Sequence, residues 1–201
     1  GLLGLLNVRY FVSDFPVEVD GLTSDGTAGE TYVYRNKHEL PRAFAVPGLQ
    51  VAADGEGAWA ALDGLDLTQT AVIETPESHF ADLAAKNEGK SLVEADVVFW
   101  SPNKIVTEVD LEESALLVLS EMWYHGWVAY DNGSIAPILR TDYLLRGVWL
   151  GPGHHSVAWL YRPDSLEWGL RITGISALLS ALVLVVVARR NASQSISSRR
   201  R

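Results

Sequence analysis

A chain of 201 residues with 16 Lys and Arg, 25 Asp and Glu and no Cys has room for one domain of moderate size or two small ones. Its hydrophobic share of 48% excludes a disordered protein, and a Cys-free chain has no disulfide scaffold, thiolate zinc site, iron–sulfur cluster or Cys nucleophile. A net charge of −9 argues against a nucleic-acid partner, which needs a basic face to displace counterions.

Residues 1–12 begin apolar and end on a β-favouring run at 8–12. The opening on Gly1, inside an apolar run, leads us to expect a C-terminal piece of a longer protein. Residues 19–30, rich in Gly, Asp, Thr and Ser, read as a loop. Strands are expected at 31–35, 44–46 and 70–74, and one or two helical turns at most within 53–66. Thr75-Pro76-Glu77 has the capping hydroxyl and first-turn Pro of a helix start, which predicts a helix to about Lys86 that stops at Gly89.

From Val93 the pattern becomes serial short strands. They are expected at 97–100, 105–111, 116–120, 127–130, 134–139, 145–150 and 155–161. The second of these alternates apolar and polar residues with period two. Asp131-Asn132-Gly133 is a hairpin turn signal. Seven strands at this spacing predict a mainly β fold, an antiparallel β-sandwich or jelly roll, over 93–166. Residues 1–92 would form a small α+β region beside it.

Residues 172–188 carry no charge and no Pro. As a helix they span roughly 25 Å, enough to cross a bilayer with help from the flanks. We expect a transmembrane helix over 169–188, with Arg171 able to snorkel and Trp168 placed as an interfacial aromatic. The last 33 residues contain six Arg and no acid, whereas the first 168 hold 25 acids against 10 bases. The positive-inside rule then puts a basic tail, 189–201, in the cytoplasm and residues 1–168 outside.

Trp123, Tyr124 and Trp127 crowd one strand connection, with Glu121, Asp131 and Asn132 close by in sequence. Sugars stack on such rings while carboxylates take their hydroxyls, so Trp123, Tyr124, Trp127 and Asp131 are candidate carbohydrate-binding residues. The same residues also suit a sandwich core, in which Trp127 packs inside and Tyr124 braces a turn. Trp100, Trp149 and Trp159 are expected in the core. Arg42 either braces a loop through a carboxylate or meets a phosphate. His154 and His155, adjacent on a strand, point to opposite faces and do not suit one metal ion. Asp110, Glu112 and Glu113 read as a solvated turn. No metal, cofactor or catalytic residue is expected from the sequence, which lacks a G-x-S-x-G elbow, a P-loop and an H-E-x-x-H motif.

Several phrases taken in order carry a family resemblance. Leu5-Leu6-Asn7-Val8-Arg9-Tyr10 is similar to the "LLNVRY" of YfhO-like bacterial membrane proteins, and Tyr34-Arg35-Asn36 with Leu40-Pro41-Arg42-Ala43-Phe44 resembles their "YEN…LPRAF". Ser101-Pro102-Asn103, Leu117-Val118-Leu119-Ser120-Glu121 and Tyr124-His125-Gly126-Trp127 look like their "SPN…LVLSE…YPGW". Asp131-Asn132-Gly133, Leu145-Arg146-Gly147-Val148, Gly153-His154 and Tyr161-Arg162-Pro163 continue the order, with His125 and Asn132 departing from the usual pattern. The resemblance covers nearly the whole chain. It implies the C-terminal extracytoplasmic portion and last span of a polytopic, GT-C-like glycosyltransferase. Such proteins are thought to move sugar from a polyprenyl-phosphate carrier onto envelope polymers such as teichoic acids. The presumed catalytic acid of the family belongs to an early external loop, so no catalytic residue carries over. The partners implied are the bilayer, the rest of the parent protein and an envelope glycan or lipid-linked sugar. The other reading is a non-catalytic, membrane-anchored sandwich that binds carbohydrate or a partner protein.

Overall fold

The computed structural model describes residues 2–75 and 91–198, with side chains as far as Val185. A short helix α1 (Leu2–Leu5) precedes β1 (Tyr10–Ser13), β2 (Leu22–Ala28) and β3 (Thr31–Asn36), which form a three-stranded sheet in the order β1-β3-β2. Then come β4 (Ala43–Val46), β5 (Gly48–Ala52), helix α2 (Gly55–Ala61), β6 (Thr70–Glu74) and β7 (Val93–Glu94). The remaining strands are β8 (Asp96–Ser101), β9 (Lys104–Leu111), β10 (Ala115–Met122), β11 (Trp127–Asp131), β12 (Ser134–Ala136), β13 (Leu139–Thr141), β14 (Leu145–Leu150) and β15 (Gly153–Tyr161). The final helix, α3, covers Asp164–Ser198. The expected helix at 76–86 lies outside the described residues.

The protein is mainly β and sandwich-like. A seven-stranded sheet, β5-β6-β13-β14-β10-β4-β7, faces a five-stranded one, β12-β11-β15-β9-β8. All pairings are antiparallel except β5 with β6, which α2 connects as a crossover. Alternation decides which residues go inside: Ile105, Thr107, Val109 and Leu111 of β9 point inward, as do Ala115, Leu117 and Leu119 of β10, with Val157 and Trp159 of β15. β10 is buried on both faces. Leu116 and Val118 join Leu5, Leu40, Phe44, Val46, Leu49 and Ile73 in a second core behind the seven-stranded sheet. Continuous apolar character in β10 follows from that double burial. Ala58 and Leu62 of the α2 segment cover Ala52 and Val72.

Four features depart from the sequence reading. The stretch taken as a loop contains β2, whose side chains beyond Thr23 are exposed; it is a strand because it pairs with β3. β5 was not expected. Residues 134–139 are two strands, and they belong to different sheets. Trp100, expected in the core, is 56% exposed. Strands from both sides of position 92 share the seven-stranded sheet, in which β4 lies beside β10.

The chain divides into two units, Gly1–Tyr161 and Arg162–Arg201. Within the second, the 22 residues Asp164–Val185 are helical, and an 18-residue stretch of them has a mean hydropathy of 1.8 and no buried residue. This helix is long and apolar enough to cross a membrane. A chain ending at Tyr161 is therefore expected to stay in the aqueous fraction when membranes are floated, and the full chain to float with them.

Candidate functional site

Two tight pairings define one end of the sandwich. Trp127 at the start of β11 lies opposite Tyr161 at the end of β15, and Asn103, after the β8 turn, accepts a hydrogen bond from the Tyr161 amide at 2.9 Å. In the chain, only Arg162 and Pro163 separate this end from the first residue of α3. It is the tethered end.

A row of charges crosses the seven-stranded sheet here. Cross-strand register places Glu74 beside Arg140, and Arg140 beside Arg146, on one face. The Arg140 Nη1 is 3.2 Å from a Glu74 carboxylate oxygen. Register in β10 shifts between Leu119 and Met122, and within that irregular stretch Glu121 forms an ion pair with Arg42. Arg146 is only 1% exposed. One of its guanidinium nitrogens donates to the Met122 carbonyl at 3.1 Å, while Nε and Nη2 are buried without a partner. Burial pushes the Arg146 pKa down to about 10, with Glu121 opposing the shift and Arg42 adding to it. Burial likewise raises the Glu74 pKa, against the pull of Arg140.

Each of these arginines lies over an aromatic ring. Arg146 is 3.7 Å from the Trp127 centroid, Arg140 5.7 Å from Trp123 and 5.2 Å from Tyr143, and Arg42 5.7 Å from Trp100. Trp127 also meets the Tyr161 ring at 5.3 Å, and Trp123 meets His125 at 4.8 Å. Flat cations fix the ring planes. The outcome is a set of braced aromatic faces at a single end of the fold.

The candidate sugar residues divide. Trp123 and Tyr124 sit together in the β10–β11 connection, Trp123 half-buried and Tyr124 61% exposed. Trp127 packs partly against the sandwich core, and its ring is covered by Arg146. Asp131 is four residues along β11 from Trp127, roughly 13 Å away. It faces His155 instead, with Nδ1 2.9 Å from its Oδ2. His154 approaches Asp110 at 2.9 Å, so adjacent histidines serve different carboxylates. Among the described residues, no three His, Asp or Glu side chains gather as a metal site. Arg140, Arg146 and Glu74 were missed. Their signal was an Arg inside the apolar strand LRGVWL, a residue that burial tolerates only for a reason.

Phrases distant in the sequence are stitched together next to this row. The Ser120 hydroxyl donates to Leu5 O at 2.8 Å, and the Ser120 amide to Arg42 O at 2.8 Å. Asn7 Nδ2 donates to Leu40 O at 2.7 Å, Asn36 Nδ2 to Val8 O at 2.8 Å, and Arg9 Nε to Glu39 at 2.6 Å. A Cβ on Gly4 would lie 1.6 Å from the His38 carbonyl oxygen, so only glycine lets α1 approach. Elsewhere, an open groove of about 870 Å³ is lined by Leu2, Leu3, Trp59, Leu62 and Leu65, with Asp20 and Asp63 also bordering it.

No family model, curated protein or solved structure matches the chain.

Proposed function

We propose that the chain is the C-terminal extracytoplasmic portion and last span of a YfhO-like, GT-C-type glycosyltransferase of the bacterial cell envelope. In this reading α3 crosses the bilayer with its arginine tail in the cytoplasm, and the β domain lies outside. The observation that carries it is the aromatic end: Trp123 and Trp127, each under an arginine, with Tyr124 and with Tyr161 against the Trp127 ring, at the end where β15 finishes, two residues before α3 in the chain. A sugar on a lipid carrier is presented at the membrane surface, so sugar-stacking faces are useful at that end. The hydrogen-bonded convergence of the LLNVRY, YRN, LPR and LSE phrases supports the resemblance, because it gives residues far apart in sequence one shared place. The domain's acidic surface favours contact with neutral sugar over a phosphate-rich polymer.

The test is sugar transfer by the intact protein from a polyprenyl-phosphate sugar. Tyr124→Ala and Trp123→Ala are each expected to lower transfer about tenfold, the equivalent of one lost stacking contact. The melting midpoint of Tyr124→Ala should stay at the wild-type value, since that ring is exposed. Unchanged transfer in both variants overturns the sugar contact. The other reading, a non-catalytic anchored sandwich that binds carbohydrate, draws on the groove beside Trp59. It predicts that glycan binding falls in Trp59→Ala and survives in Tyr124→Ala.

A further inference from the structure

β8 is the outer strand of the five-stranded sheet, and its register against β9 shifts between Val97 and Phe99. Around the bulge three consecutive large apolar side chains of this edge strand stand in water, Val98 at 51%, Phe99 at 49% and Trp100 at 56% exposure, with Phe99 opposite Val106 and Trp100 opposite Ile105. A run of this kind on a soluble surface calls for a partner. Two cations attend it. Lys104 Nζ lies 5.5 Å from the Phe99 centroid, and Arg42 lies over Trp100. The nearby Glu121 carboxylate is already taken up by Arg42. In a domain holding 23 acids against 9 bases, Lys104 and Arg42 against Glu121 give this corner no acidic excess.

We propose that the β8–β9 hairpin seats in the headgroup layer of the bilayer that α3 spans. Its occupant is lipid. Aromatic rings mixed with Lys and Arg, and a short apolar run, are the composition of an interfacial belt. Position in the chain agrees: the hairpin turn bonds to Tyr161, and two residues later α3 begins. Pairing with a second copy through the strand edge is disfavoured by the bulge, which interrupts the flat edge such pairing needs. The proposal rests on α3 as a span and not on the sugar contact, so the transfer assay above does not decide it.

Because the chain has no cysteine, a single introduced one is unique. Val98→Cys, Phe99→Cys and Glu112→Cys in the full chain would each carry a nitroxide, in vesicles of phosphatidylcholine and phosphatidylglycerol. Glu112 is an exposed control at the other end of β9, roughly 25 Å from Lys104. Collisional relaxation would be measured with oxygen, which concentrates in lipid, and with a water-soluble nickel chelate. At 98 and 99 the oxygen effect should exceed the nickel effect, and at 112 the order should reverse. Nickel access at 98 and 99 equal to that at 112 overturns the proposal. So does shielding from both agents, which would mean a protein occupant. Either of the two β8 variants suffices if the other fails to fold.

Discussion

Replacing Asp142 by Asn is expected to stabilise the β domain at neutral and alkaline pH, by up to about 4 kcal/mol above about pH 8. Asp142 begins the turn between β13 and β14, where it and Tyr143 both have positive φ, 48° and 67°. Its carboxylate accepts the Val72 amide at 2.7 Å, and its own amide donates to Val72 O at the same distance. It thus extends the β6 ladder past the end of β13. The carboxyl is 2% exposed, and burial pushes its pKa up to about 7, against the Val72 hydrogen bond that favours the charge. The folded state therefore holds its proton more tightly than the unfolded chain. Stability is full below the unfolded pKa of about 4, falls as pH rises, and has lost the whole contribution above about pH 7. Asn keeps the acceptor oxygen and tolerates positive φ, yet never ionises. Urea melts at a series of pH values check this. Wild type should weaken between about pH 4 and pH 7, and Asp142→Asn should lack that slope. Equal slopes would mean that the carboxyl is ionised without penalty.

Arg146 sets up the second large effect. Arg146→Met should raise the unfolding free energy by about 1–4 kcal/mol, because it removes a desolvated cation with two unpartnered nitrogens and fills the space with apolar atoms. Arg146→Ala should lower it by about 2–5 kcal/mol, through a cavity between Trp127 and Trp159. Glu121 keeps Arg42 in either variant. Paired denaturant melts separate the two signs. If the guanidinium holds the Trp127 ring for sugar, Arg146→Met will gain stability and lose transfer together. Stabilisation with full transfer would leave Arg146 no part in the site.

Much of the β architecture was written in local patterns. The alternation of β9, the Asn-Gly turn after β11 and the apolar run of β10 each have a short-range cause, and each stands in the structure. What escaped was set by strand pairing and by place in the sheet, which residue type alone does not state. β2, LTSDGTA, has no apolar face of its own and becomes a strand through β3. Trp100 is opposite the buried Ile105 yet 56% exposed, because β8 is an edge strand, and no residue type announces an edge. The same limit applies to the site. Trp123 and Tyr124 were legible as a cluster, and Arg42 as a brace. Asp131 was grouped with them by nearness in sequence, but four residues of extended strand carry it to His155. Glu74 and Arg146 are 72 positions apart in the chain, and only the sheet register brings both beside Arg140.

β15 is the middle strand of the five-stranded sheet, bonded to β11 on one side and to β9 on the other, and it is also the strand from which the chain leaves the domain. A pull on the chain beyond Tyr161, directed along the strand, loads both ladders in shear. Their hydrogen bonds must then break together; an edge strand peeled sideways would unzip one bond at a time. Forced unfolding is governed by the unfolding barrier, and this attachment makes that barrier high in the direction a tether would tug.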